Sequence, residues 1–229
     1  MNWPYKMNLL AIDTSTEHAS VALSTNGELQ SDEQGAQRQH ARLLLPMIER
    51  LLAEAGVSLS QLDGIVYGRG PGSFTGLRIA CSVAKGLAYA HDLPLYPVSS
   101  LAAIANEVLQ KRDWASKAAI LTLLDARMNQ VYWACFTDEL YQANEQVSDA
   151  ANIVLTSEQP LILAGVGYEV YREQLPDLIQ AKIIHQLICY PNARAMLRLA
   201  ENGKIKAITA AEALPVYIRN QITQGESGG

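Results

Sequence analysis

The chain has 229 residues, 49% of them hydrophobic and 18% charged, which suits a protein with a sizeable core and excludes global disorder. Its net charge of −5 argues against nucleic acid as a stand-alone ligand, because phosphate binding draws on clustered Lys and Arg. No apolar run approaches the ~20 residues of a membrane span and no signal-like region is visible, so the sequence reads as soluble and cytoplasmic. Met1 to Lys6 reads as an extension ahead of the first strand, with Met1 or Met7 as the start.

Asn8 to Ile12 is a strand candidate that runs into the polar turn Asp13-Thr14-Ser15-Thr16. A second strand covers Ala19 to Ser24. Asn26-Gly27 is a two-residue hairpin signal, so a third strand starts at Glu28. A helix pattern from about Gln37 to Ala55 stops at Gly56. Ile65-Val66-Tyr67 then leads into Gly68, Gly70, Gly72 and Gly76, four glycines in nine residues, and a helix from Phe74 to about Ala90 follows. Leu95 to Val98 is a short strand, and Ser99 or Ser100 caps a helix to about Lys111. The second half repeats this order loosely. Strands are expected at Ala118 to Leu124, Val131 to Phe136, Leu161 to Ala164 and Lys182 to Ile184, and Asn192 caps a helix that stops at Gly203. The weak duplication suggests two lobes, 1–103 and a smaller 104–220, with a polar tail at 221–229 that is expected to be disordered.

The glycine stretch reads as strand, tight loop and helix N-terminus. Glycines permit close backbone approach, and Ser73 can cap the helix. Helix N-terminal N–H groups suit an anion, but the same residues could simply make a tight turn. The spacing is neither a P-loop nor a clean dinucleotide fingerprint. Asp13, at the end of a buried strand, could position a metal-bound phosphate or cap its own turn. The candidate nucleotide or anion set is therefore Asp13, Thr14, Ser15, Gly70, Gly72 and Ser73. Asp125 with Arg127, at the matching turn of the second half, reads as an ion pair or hairpin cap. His18, His40, His91 and His185 show no metal-ligand pairing, and Cys81, Cys135 and Cys189 are far apart, so no metal site is expected. Tyr132, Trp133 and Phe136 read as core.

Two helices look too apolar. Leu43, Leu44, Leu45, Met47, Ile48, Leu51, Leu52 and Ala55 cover about 200° of the first, roughly twice a core stripe. In the second, Gly76, Ala80 and Ala84 share one face, and Ser82, Gly86 and Ala90 another. Either the helices pack tightly within one domain, or they form an interface with a partner subunit. The interface reading takes Leu45, Leu52, Gly76, Ala80 and Ala84.

The segments Leu10-Ala11-Ile12-Asp13-Thr14-Ser15-Thr16, Tyr67 through Ile79, Asp125-Ala126-Arg127-Met128, Val131-Tyr132-Trp133 and Pro215 through Asn220 closely resemble the bacterial TsaB family, formerly called YeaZ. The resemblance runs from about Met7 to Asn220. It implies an α/β, actin-like ATPase (ribonuclease H-like) fold with two duplicated lobes. It also implies a place in the machinery that puts threonylcarbamoyl on the adenosine beside the anticodon, in tRNAs reading codons that begin with A. In that family TsaC makes threonylcarbamoyl-AMP. TsaD, a paralogue, transfers the group with help from TsaB and the ATPase TsaE. Aligned on TsaD, Ser100 and Ile104 stand where its two histidines would be, and an isoleucine cannot ligate a metal. The implied role is a non-catalytic subunit that grips TsaD, or a second copy of itself, through the two apolar helices. Contact with tRNA would come only through the complex, and ATP or ADP would sit at the interface with TsaD. Two other readings stay open: a metal-dependent small-molecule kinase of the same fold, and a glycoprotease-like hydrolase, for which neither metal site nor nucleophile is readable.

Overall fold

The computed structural model describes residues 7–35, 39–110, 118–137, 139–141 and 144–218. The expected tail and the residues ahead of Met7 lie outside this set. The first half runs β1 (Leu9–Asp13), β2 (His18–Thr25), β3 (Glu28–Gly35), α1 (His40–Ala55), β4 (Gly64–Gly70), α2 (Phe74–His91), β5 (Leu95–Ser99) and α3 (Ser100–Gln110). Local signals account for most of the boundaries. Asn26 and Gly27 adopt positive φ at the β2–β3 turn, as a tight hairpin requires. Gly56 ends α1 in the left-handed conformation, and the Ser99 hydroxyl accepts from the Ala102 amide at the start of α3.

The second half continues with β6 (Ala119–Arg127), β7 (Gln130–Phe136), β8 (Gln146–Ser148), β9 (Leu161–Val166), α4 (Asp177–Gln180), β10 (Ile183–Ile188) and α5 (Ala193–Glu201). The Asn192 side chain caps α5 by accepting from the Ala195 amide at 2.8 Å.

The sheets have orders β3-β2-β1-β4-β5 and β10-β9-β6-β7-β8, so reading the second from its far edge reproduces the first. In each, the two opening hairpins are antiparallel and the next two strands add in parallel. This is the duplicated α/β architecture of the actin-like class. The halves are unequal in their helices. Helices α1 and α2 cover one face of the first sheet, burying Leu10, Ile12, Ile65 and Tyr67 with Leu44, Ile48 and Leu51. At the matching place in the second half the described residues form short 3-10 turns at Ala150–Asn152 and Glu169–Gln174 and the single turn α4. They cover Leu121, Leu123, Leu161 and Leu163.

Helices α3 and α5 lie between the sheets. They bury Leu9, Ala11 and Val66 of one with Ile120, Leu124 and Ile162 of the other in a single cluster. Each large aliphatic side chain removed from water here contributes about 1.5–3 kcal/mol. The last described segment then returns to the first sheet: Ile208 pairs with Leu95, and the Val216 amide donates to the Arg69 carbonyl at 2.7 Å. The Tyr67 hydroxyl donates to Leu214 O, and Lys85 Nζ to Ala213 O.

The apolar excess on α1 and α2 is mostly internal, which corrects most of the interface reading. Leu52 is 7% exposed and belongs to the core beneath α1. Gly76, Ala80 and Ala84 are buried, because α2 lies so close to its own sheet that only small side chains fit beneath it. Leu45 alone of the five projects outward, at 46% exposed. The outward face of α2 is the other small-residue set, Ser82, Gly86 and Ala90, with Tyr89 at 85% exposed.

Candidate functional site: the cleft between the sheets

A cleft of about 1060 Å³ opens where the two halves meet. Ser15, Thr16 and Glu17 line it from the β1–β2 turn, Gly72 to Gly76 from the glycine loop, and His40 from the start of α1. Asp125 to Met128 of the β6–β7 hairpin and Gly167 after β9 face them. Duplication accounts for the pairing, because β1–β2 and β6–β7 hold equivalent places in their sheets and both line the cleft.

The proposed anion set divides. Ser15, Gly72 and Ser73 line the cleft, whereas Asp13, Thr14 and Gly70 do not. Asp13 is fully buried on the same side of β1 as Leu9 and Ala11, and Gly68 and the Met196 methyl flank it. Its Oδ2 accepts from the Ser15 amide at 3.3 Å and hydroxyl at 2.9 Å, while Oδ1 has no hydrogen-bond partner among the described residues. Burial pushes this carboxyl up to about 7, with Ser15 opposing the shift. The Thr14 hydroxyl, also fully buried, donates to the Gly76 carbonyl at 2.7 Å. Gly70 has φ of +110° and lies against the Val216 carbonyl.

The loop and the β1–β2 turn are stitched to each other. The Ser73 amide donates to Ser15 O at 2.7 Å, and the Ser73 hydroxyl accepts from the Gly76 amide at 3.3 Å. A Cβ on Gly72 would lie 2.9 Å from Ser15 Cβ, and one on Gly76 would collide with the Thr14 carbonyl. These glycines therefore let the chain approach itself. Asp125 behaves as the sequence suggests: Oδ1 accepts from the Arg127 amide at 2.8 Å and the Tyr171 hydroxyl at 3.1 Å, and Oδ2 pairs with the Arg127 guanidinium.

Sequence reasoning missed three features. His40 lines the cleft with a buried Nδ1 lacking a hydrogen-bond partner among the described residues, and burial lowers its pKa. Arg127, Met128 and Asn129 form a consecutive left-handed run, for which only Asn129 gave a residue-type hint. The Arg78 guanidinium sits 3.7 Å above the Phe74 ring and its Nε donates to the Tyr217 hydroxyl, a contact between segments too distant for local pattern to reveal.

Comparison with known proteins bears on this geometry. The chain is 35% identical to the tRNA threonylcarbamoyladenosine biosynthesis protein TsaB of Haemophilus influenzae, with 95% of each chain aligned. The chain belongs to the TsaB family. The Escherichia coli TsaB is also 35% identical, with 94% of this chain and 96% of that one aligned. A crystal structure of YeaZ from Pseudomonas aeruginosa superposes with a TM-score of 0.83 at 36% identity, covering 92% of this chain and 99% of that one. A second, described as similar to peptidase YEAZ from the same organism, gives 0.84 over 93% and 100%. The family model for TsaD, tRNA N6-adenosine threonylcarbamoyltransferase, matches residues 33–216, so TsaB-type and TsaD-type sequences share this scaffold. Ser100 and Ile104, set by resemblance at the histidine positions of TsaD, are both fully buried in α3. No helix among the described residues is long and apolar enough to cross a membrane.

Proposed function

We propose that this chain acts in making threonylcarbamoyladenosine in tRNA, as the non-catalytic partner of TsaD. TsaD transfers threonylcarbamoyl from threonylcarbamoyl-AMP to the adenosine beside the anticodon, in tRNAs reading codons that begin with A. One observation carries the non-catalytic part: the elements that would hold a phosphate are occupied by the chain itself. The Ser73 amide is bonded to Ser15 O, the Thr14 hydroxyl to Gly76 O, and Asp13 is turned away from the cleft. That set does not fit a metal-bound nucleotide, which disfavours a kinase. ATP or ADP would instead be held with residues of TsaD at the interface between the subunits.

The docking surface is the outward side of α1 and α2, from Leu45 to Tyr89, whose apolar and small residues allow close helix approach. The same face would pair two copies of the chain in the absence of TsaD. TsaE completes the assembly, and tRNA is reached through the complex.

Reconstitution with TsaC, TsaD, TsaE and tRNA, omitting each protein in turn, tests the assignment. Modification should fail without this chain, while the pure chain should turn over no more ATP than its Asp13→Asn variant. Full modification in its absence refutes the partner role. ATP turnover by the pure chain that disappears in the variant restores the kinase.

A further inference from the structure

We infer that two contacts between the sheets, one on each side of the cleft, clasp the halves at a fixed opening, so that the cleft does not close by rotation of one half against the other. The first clasp joins β4 to the start of β8. Arg69 is held by Glu145 in a two-pronged ion pair, at 2.8 and 3.0 Å, with the carboxylate side chain only 8% exposed. Planar guanidinium against planar carboxylate is the most directional ion pair a protein makes, and partial burial shields it from solvent. Arg69 lies just before the glycine loop, and Gln146, beside Glu145, is paired to β7 through Trp133. The clasp thus links one wall of the cleft to the other.

The second clasp comes from Tyr190, in the link between β10 and α5. Its ring stacks on His18 with centroids 3.9 Å apart and planes 7° from parallel, and its hydroxyl donates to Glu17 at 3.0 Å. Glu17 lines the cleft and His18 opens β2. The next residue but one, Asn192, caps α5, and the Ala193 amide donates to the Ser20 hydroxyl at 3.0 Å, so this link is fixed to the first sheet along its length. The Cys189 amide meanwhile donates to Gly165 O of β9. A hinge needs a few residues free to absorb backbone rotation. Here the crossing segment is bonded to both sheets within five residues, Cys189 to Ala193, and Arg69–Glu145 holds the opposite side.

The test uses spin labels across the cleft at Thr75 and Met128, both exposed, in the full chain with Cys81, Cys135 and Cys189 replaced by alanine. A second label pair at Glu49 and Tyr89, on α1 and α2, reports on the first half alone. The parent should give one narrow cross-cleft distance. Combining Arg69→Met with Tyr190→Ala, which removes both the stacked ring and the hydroxyl, should broaden that distribution about twofold as the open and closed arrangements become comparably populated, with the α1–α2 distance unchanged. Reversing the pair, Arg69→Glu with Glu145→Arg, should restore the narrow distribution. An unchanged cross-cleft width in the folded double variant overturns the inference, and so does equal broadening of both label pairs. If that double variant does not fold, the milder pair Glu145→Gln with Tyr190→Leu decides: broadening of the cross-cleft distance supports the clasps, and a parental width overturns them.

Discussion

Replacing Gly76 with alanine tests whether the glycine loop exists for close approach or for a ligand. A Cβ there would overlap the Thr14 carbonyl oxygen and sit 3.0 Å from its carbonyl carbon, where ordinary contact starts at 3.4 Å. The obstacle is backbone at the end of a fully buried strand, so neither side yields cheaply. Overpacking of this kind costs about 1–3 kcal/mol, and displacing the Thr14–Gly76 hydrogen bond adds about 1 kcal/mol. Alanine returns up to ~1 kcal/mol through helix propensity, less in the first turn of a helix. The balance is a loss of about 1–3 kcal/mol, or ~3–10 °C in the melting temperature of a chain this long. Thermal unfolding followed by circular dichroism reads it directly. A Gly76→Ala protein that melts at or above the parent temperature would mean that propensity outweighs the clash, and that the packing argument for this glycine is wrong.

Leu45→Glu should weaken association with TsaD about tenfold or more while moving the melting temperature by no more than ~2 °C, because the side chain is half exposed; titration calorimetry beside a thermal melt separates the two. Asp13 carries a pH signature. Its folded-state pKa is raised to about 7 by burial, so the folded chain holds a proton that the unfolded chain has released. This contribution is complete below the usual carboxylate range and disappears as pH rises towards 7. Urea titrations should show Asp13→Asn gaining stability relative to the parent on going from pH 5 to pH 8, by about 2–4 kcal/mol; a constant difference would place the carboxyl's titration elsewhere. Asn192→Ala should cost about 1–2 kcal/mol and Ser73→Ala about 0.5 kcal/mol, since the first cap is buried at 2.8 Å and the second is longer, at 3.3 Å. Equal losses would contradict that ordering.

The strands, their order and most helix ends were legible because they are set locally: Asn26-Gly27, Gly56 and Asn192 each act within one turn of chain. Strand β8 was not, since its three residues carry no alternation long enough to read. The direction of Asp13 was hidden for another reason. Alternation places it with Leu9 and Ala11, but both sides of β1 are apolar and buried, so parity cannot say which side meets the cleft. The α2 error has the same root. Spacing correctly grouped Gly76, Ala80 and Ala84 on one side of the helix and Ser82, Gly86 and Ala90 on another, yet small residues serve an internal sheet as well as a foreign helix. Only the tertiary arrangement separates those uses.

The return of residues 193–218 to the first sheet has a consequence for biosynthesis. Helix α5 covers the inner side of that sheet, and Ile208 and Val216 bond to β5 and β4, so material translated last completes the half translated first. A nascent chain halted after α3 would have only part of the cover over Leu9, Ala11 and Val66, and would wait on the ribosome for α5 and the segment after it before its opening sheet was complete.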